Sequence, residues 1–255
     1  MIAASLMLWL KHIYAWLVYR IGDIHTTSRC PWVSWQVPHH LVDYDEILAA
    51  LPLIRYGDIG LHRDRGYLSN AFIPGFMKHA WIHVWDGVDR PQIVEAISDG
   101  VIKRSAIAPM YSDYAIILSP HGITDAERGG ACLKAERVVG TGYDPFFEFD
   151  IEEELQFYTG GDRDGAARDV EERNRNAYRY TFSCTEVVGY AWWHKREELR
   201  ITRKKRLGKQ VILADDFLNP SWHIKWASQS VTVDAARSLG LHEQGLAMLE
   251  DYLGR

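Results

Sequence analysis

Cysteine is scarce in this chain: three in 255 residues, at positions 30, 132 and 184. An odd, widely spaced set excludes a disulfide framework and a cysteine-built zinc site, and it leaves at least one thiol unpaired. No Gly-x-Gly-x-x-Gly follows a strand-like segment and no phosphate-binding loop is present, so the sequence gives no ground for nucleotide chemistry. Internal repeats and low-complexity tracts are absent. A positive charge excess is missing as well, and a formal charge of −5 removes the general electrostatic reason to expect nucleic-acid binding. Long apolar runs are also lacking. Residues 2–10 and 13–19 are apolar, but Lys11 and His12 divide them, and a membrane span needs about 20 mostly uncharged residues. No basic residue precedes the first run, as one would in a secretory signal. Residues 1–20 therefore read as an amphipathic or core-docked helix, with a membrane-associated segment and a partner-binding helix as the alternatives.

What is present describes a globular protein, 47% hydrophobic and 25% charged. Ten tryptophans are many for this length. Trp32 and Trp35, Trp81 and Trp85, Trp192 and Trp193, and Trp222 and Trp226 form short clusters, read as core and groove lining. Residues 1–50 read as an apolar helix and connector, with a short helix from Asp43 to Leu51 closed by Pro52. Residues 51–255 read as the main domain. Its strands are expected after the turn Tyr56-Gly57-Asp58, at 80–85, 92–97, 101–106, 114–118 and 222–226. Asp86 to Pro91 and Ser98-Asp99-Gly100 supply turns. Helices are expected at 125–139, 184–200 and over most of 233–254, with a helical turn from Asp215. A short helix is expected around 68–73. Residues 150–176, acidic and then Gly-rich, read as an insertion, and the basic run 203–209 as a loop or solvated face. Strands meandering into helices predict an α+β fold, an antiparallel sheet packed against helices.

The most informative segment is Tyr180-Thr181-Phe182-Ser183-Cys184-Thr185-Glu186-Val187-Val188, a strand end entering a helix. Ser183 and Glu186 have capping-box spacing, which makes Cys184 the first helical residue. A thiol there meets the positive end of the helix dipole and unpaired N–H groups, both of which favour the thiolate nucleophile. Such a cysteine needs a base and a group to orient it. His79 and His83 share one face of a strand, and the hairpin sets Glu95 opposite His79 to within two residues of register. Glu95 lies in the apolar run Ile93 to Ile97, so something cationic or donating should face it. The plain readings are a buried inert thiol for Cys184 and a surface or satisfied histidine for His79, while His83 reads equally as a groove wall or a base. The His79/His83 spacing also fits a zinc motif, but Ala80 stands where a glutamate is needed and the segment reads as strand. No metal and no organic cofactor is expected.

Together these segments resemble the circularly permuted papain-fold hydrolases of the NlpC/P60 superfamily, the YiiX/YebB-like branch. Four stretches carry the resemblance across roughly residues 54–220: Tyr56-Gly57-Asp58-Ile59-Gly60; Lys78-His79-Ala80-Trp81-Ile82-His83-Val84 with Val94-Glu95-Ala96 and Gly100-Val101; Gly140-Thr141-Gly142-Tyr143-Asp144-Pro145-Phe146-Phe147; and Phe182-Ser183-Cys184-Thr185-Glu186-Val187-Val188. Leu213-Ala214-Asp215-Asp216-Phe217-Leu218 is similar to a segment found after the catalytic helix. Histidine precedes cysteine by about 105 residues, the order of the permuted branch. The resemblance implies a permuted papain-like sheet or half-barrel and a thiol hydrolase of cell-wall peptides. Cys184 would be the nucleophile, His79 the base and Glu95 the orienting residue. Tyr143 would sit beside the cysteine and help its amide stabilise an oxyanion; apart from the resemblance, His83 is a substrate-positioning candidate from its place between tryptophans. Thr185 departs from the usual serine, and the stretch from Tyr143 to Cys184 is longer than usual. Lipid acyl groups are the second substrate class, in hydrolysis or transfer. Other readings are a structural component of a phage tail or envelope assembly, docked through residues 1–20, and a binding module whose catalytic residues are vestigial. Envelope or virion association follows from either, rather than a free cytoplasmic existence.

Overall fold

The computed structural model describes residues 40–67, 70, 73–84, 91–144, 181–206 and 209–255, together with one short strand pair near the N-terminus. The expected helix at 1–20, most of the turn at 86–91, most of the short helix at 68–73 and the insertion at 150–176 lie outside the described residues. The strand pair is β1 (His25–Thr26) with β2 (Val33–Ser34). Helix α1 (Tyr44–Ala50) follows, with a complete Asp43/Glu46 capping box. It tightens into a 3-10 turn, Leu51–Leu53, that contains Pro52 rather than stopping before it. Proline at the first turn of such an element loses no hydrogen bond.

The centre is a six-stranded, wholly antiparallel sheet. Its strands are β3 (Ile59–Arg63), β4 (His79–Val84), β5 (Gln92–Ile97), β6 (Gly100–Ser105), β7 (Tyr114–Pro120) and, late in the chain, β12 (Trp222–Ala227). The spatial order is β12-β7-β3-β4-β5-β6. Strands β4, β5 and β6 meander as the sequence predicts. After the short helix α2 (Ile107–Met110), β7 does not continue the meander but crosses to pair with β3. All seven residues of β7 are buried, and a strand with no polar edge belongs inside the sheet.

Alternation along the strands divides the core. Ile59, Leu61, Ala80, Ile82, Val84, Val94 and Ala96 face one cluster, into which α3 (Asp125–Arg137) and α4 (Cys184–Trp192) pack. Trp81, Ile93, Ala115 and Ile117 face the other, closed by Ile47 and Ala50 of α1. Trp81 lies across β3, where a Cβ on Gly60 would stand 2.0 Å from the indole, so only glycine fits there. In β12 the register shifts between Ile224 and Trp226. The bulge moves Trp226 to the second cluster and lets Lys225 reach Asp58. The five tryptophans among the described residues are buried, as core lining requires.

Strand β8 (Gly142–Tyr143) pairs in parallel with β9 (Thr181–Phe182), which enters α4. Two expectations need correction. The helix from Cys184 ends at Trp192, not near 200, and passes through a 3-10 turn, Trp193–Lys195, to Arg200 at φ 51°. Burial of both Trp192 and Trp193 outweighs the helix-forming residues that follow. The basic run is a hairpin, β10 (Lys204–Arg206) with β11 (Lys209–Val211), not a loop. Residues 233–254 are mostly helical as expected, in two helices, α5 (Val233–Ser238) and α6 (Glu243–Leu253), separated where Gly240 adopts φ 92°.

Candidate active site

Ser183 caps α4 as its spacing predicts. Its amide donates to Glu186 Oε2 at 2.7 Å and its hydroxyl accepts the Glu186 amide at 3.4 Å. Cys184 is thus the first helical residue, 5% exposed. Burial and then the charge of Asp144 raise the Glu186 pKa to about 8, against the Ser183 hydrogen bonds.

Helix α4 packs against β4 and β5, which brings Cys184 to His79. The thiol lies within hydrogen-bonding reach of the imidazole and couples to it by charge. On the other side of the ring, His79 Nε2 bonds Glu95 Oε2 at 2.7 Å. With Nε2 engaged, Nδ1 is the nitrogen that remains for the thiol. Register pairs Ile82 with Val94, so Glu95 is diagonal to His79, within the reach of long side chains.

Glu95 is completely buried, and the cation its burial calls for is Arg104, whose Nε donates to Glu95 Oε1. Burial alone would raise the Glu95 pKa; the hydrogen bond and charge of His79, and then Arg104, hold it at about 2. Burial alone would lower His79, but the charge and hydrogen bond of Cys184, followed by those of Glu95, raise it to about 10. The interactions therefore favour a charged imidazolium at His79, with the Glu95 carboxylate on one side of the ring and the Cys184 sulfur on the other.

The sequence reading missed two residues of the site. Arg104 is one. The other is His62, directly across the ladder from His79, with ring centroids 4.8 Å apart. Its Nδ1 donates to the Pro109 carbonyl at 2.6 Å. Burial, and next the charge of His79, lower its pKa, so it stays neutral beside a charged neighbour. Behind the site, buried Asp215 accepts the Phe76 and Met77 amides at 2.6 and 2.7 Å and fixes the chain that enters β4.

The remaining expected residues fall elsewhere. Tyr143 is half-buried and pairs with Phe182, two residues before Cys184. His83 does not line a groove: it is 1% exposed, and its Nε2 accepts the Trp81 indole N–H at 3.1 Å. Burial lowers its pKa to about 4. Alternation places it with His79 on one face, but Trp81 between them is covered by the second core cluster. Cys132 is buried, and its thiol donates to the His83 carbonyl at 3.3 Å. Among the described residues no three His, Cys, Asp or Glu side chains form a metal-binding group, and no helix is long and apolar enough to cross a membrane. Comparison of the chain with protein-family models, with curated proteins and with solved structures gives no match.

Proposed function

We propose that the protein is a cysteine hydrolase of permuted papain-like fold, acting on an amide or ester carbonyl. The observation that carries the proposal is the line of contacts from the Cys184 thiol through His79 to Glu95. Cys184 Sγ adds to the carbonyl carbon, and the electron pair moves to oxygen. The first N–H groups of α4, which have no intrahelical acceptor, are donors for that oxyanion. As the tetrahedral adduct collapses, His79 Nδ1 gives its proton to the leaving nitrogen or oxygen and a thioester remains on Cys184. Nδ1 then takes a proton from water, the hydroxide displaces the thiolate, and the acid leaves with the ion pair restored. Glu95 holds the ring and balances its charge throughout, as the third member of such a triad does.

The resemblance to NlpC/P60 hydrolases favours cell-wall peptides as substrates. The test sets amide-linked wall peptides beside acyl esters. Wild type should release product and carry an acyl mass on Cys184, and Cys184→Ser should do neither. Release from esters alone redirects the substrate class to lipid acyl groups. Equal behaviour of wild type and Cys184→Ser on both substrates contradicts the proposal.

A further inference from the structure

We propose a second binding site, for a dianionic organic ligand bearing a phosphate group, in the cleft between the end of α4 and the β10–β11 hairpin. None of Cys184, His79 and Glu95 lines this cleft. Its volume is about 640 Å³, within the range of small-molecule sites and far larger than a bare phosphate ion needs. Trp193 and Ile201 form an apolar wall, each no more than 5% exposed. Arg196 and Arg200 line it beside Glu197, while Lys204 is paired with Asp216. The oxygens of a phosphate monoester match two guanidinium groups on one ligand.

The floor already has its acceptors engaged. Asp216 Oδ1 accepts Lys204 Nζ at 2.6 Å and Oδ2 accepts the Leu213 amide at 2.8 Å. Asn219 Oδ1 accepts the Ser221 amide at 2.9 Å. His242 Nδ1 accepts the Gly245 amide at 3.0 Å, while Nε2 donates to the Asp215 carbonyl at 2.9 Å. Spare capacity is on the donor side. The Arg196 guanidinium lies over the Trp193 ring at 5.2 Å and reaches the Trp193 carbonyl only at 3.5 Å and Glu197 only at 4.0 Å. Arg200 is exposed and has no acidic partner among the described residues. It is also the only non-glycine residue among them with positive φ, 51°. Side chains in that region are uncommon, and such strain concentrates where a ligand is held. Planar guanidinium groups match phosphate in geometry as well as charge.

The phosphate can belong to a soluble ester or to a lipid headgroup, and two arms of one experiment separate them. The full chain is titrated calorimetrically with phenyl phosphate. It is also sedimented with phosphatidylcholine vesicles with and without phosphatidic acid. Wild type should bind phenyl phosphate saturably, at one site, with affinity that falls as salt rises. Binding of phosphatidic acid vesicles alone assigns the lipid source. Arg196→Gln/Arg200→Gln should weaken whichever binding is seen at least tenfold, with the circular dichroism spectrum and Cys184 reactivity unchanged. Arg200→Gly relieves the backbone strain, so it should fold at least as well as wild type and still bind more weakly. Binding in neither arm, or binding undiminished in both variants, overturns the site.

Discussion

Two fully buried carboxylates, Asp58 just before β3 and Glu95 in β5, are put to different uses. Asp58 Oδ1 accepts Arg128 Nη1 at 2.7 Å and the Ser119 hydroxyl at 2.6 Å, and Oδ2 accepts Lys225 Nζ at 3.0 Å and the Arg55 amide at 2.8 Å. The Arg128 and Lys225 side chains are themselves 5% and 17% exposed. Four donors on two oxygens use up the carboxylate and tie β3, β7, β12 and α3 together. Glu95 instead holds one cation at the surface, Arg104, and one titrating ring, His79, which keeps a nitrogen for Cys184. A buried charge with every partner fixed is a fastener. One whose partner still has a proton to exchange is a site.

Three substitutions test that contrast. Asp58→Ala strands Arg128 and Lys225, and we expect a loss of about 3–5 kcal/mol of stability, measured by denaturant unfolding. Cys184 alkylation in the protein that remains folded should be near wild type. Glu95→Gln should do the reverse, slowing Cys184 alkylation on the order of 10²-fold at a smaller cost in stability. That stability cost depends on pH. The Glu95 contribution is present above its ordinary pKa of 4.5 and is lost as pH falls through about 2. The His79 contribution is present below its ordinary 6.5 and is lost as pH rises through about 10. The gap between wild type and Glu95→Gln should therefore be widest between pH 4.5 and 6.5 and close on either side. The smallest effect belongs to Glu186→Gln. Glu186 keeps its proton in the fold up to about pH 8 but not in the unfolded chain above 4.5. Over that range ionisation of the unfolded state draws stability away. Glutamine keeps the cap without that loss, so the variant should be more stable than wild type at pH 8 and little different at pH 4, as read by thermal unfolding.

The parts of the site set by local chemistry were legible in the sequence. The Ser183/Glu186 box fixed the helix start, and the strand pattern put His79 and Glu95 on neighbouring strands. Arg104 was also within reach of the sequence. The two-residue turn at Ser98-Asp99 pairs Ile97 with Gly100, and so Ile93 with Arg104, which sets Arg104 diagonal to Glu95. His62 was not, because the fifteen residues between β3 and β4 give no tight turn from which a register can be counted. Nor was the crossing of β7 to β3, or the end of α4 at Trp192. Both follow from which faces the finished core buries, and no local preference records that. The enclosure of His83 has the same origin: alternation gives its face, while its burial comes with Trp81 beside it and the distant charges of Asp58 and Lys225.

The most direct test of the central claim is the rate of Cys184 alkylation by iodoacetamide against pH, resolved by peptide mass, in wild type and His79→Ala. A thiolate held by the imidazolium predicts a wild-type rate nearly flat from about pH 6 to 8 and, at the lower end, roughly 10²-fold or more above the variant. Two superimposed curves, both rising with ordinary thiol ionisation near pH 8.5, would contradict it.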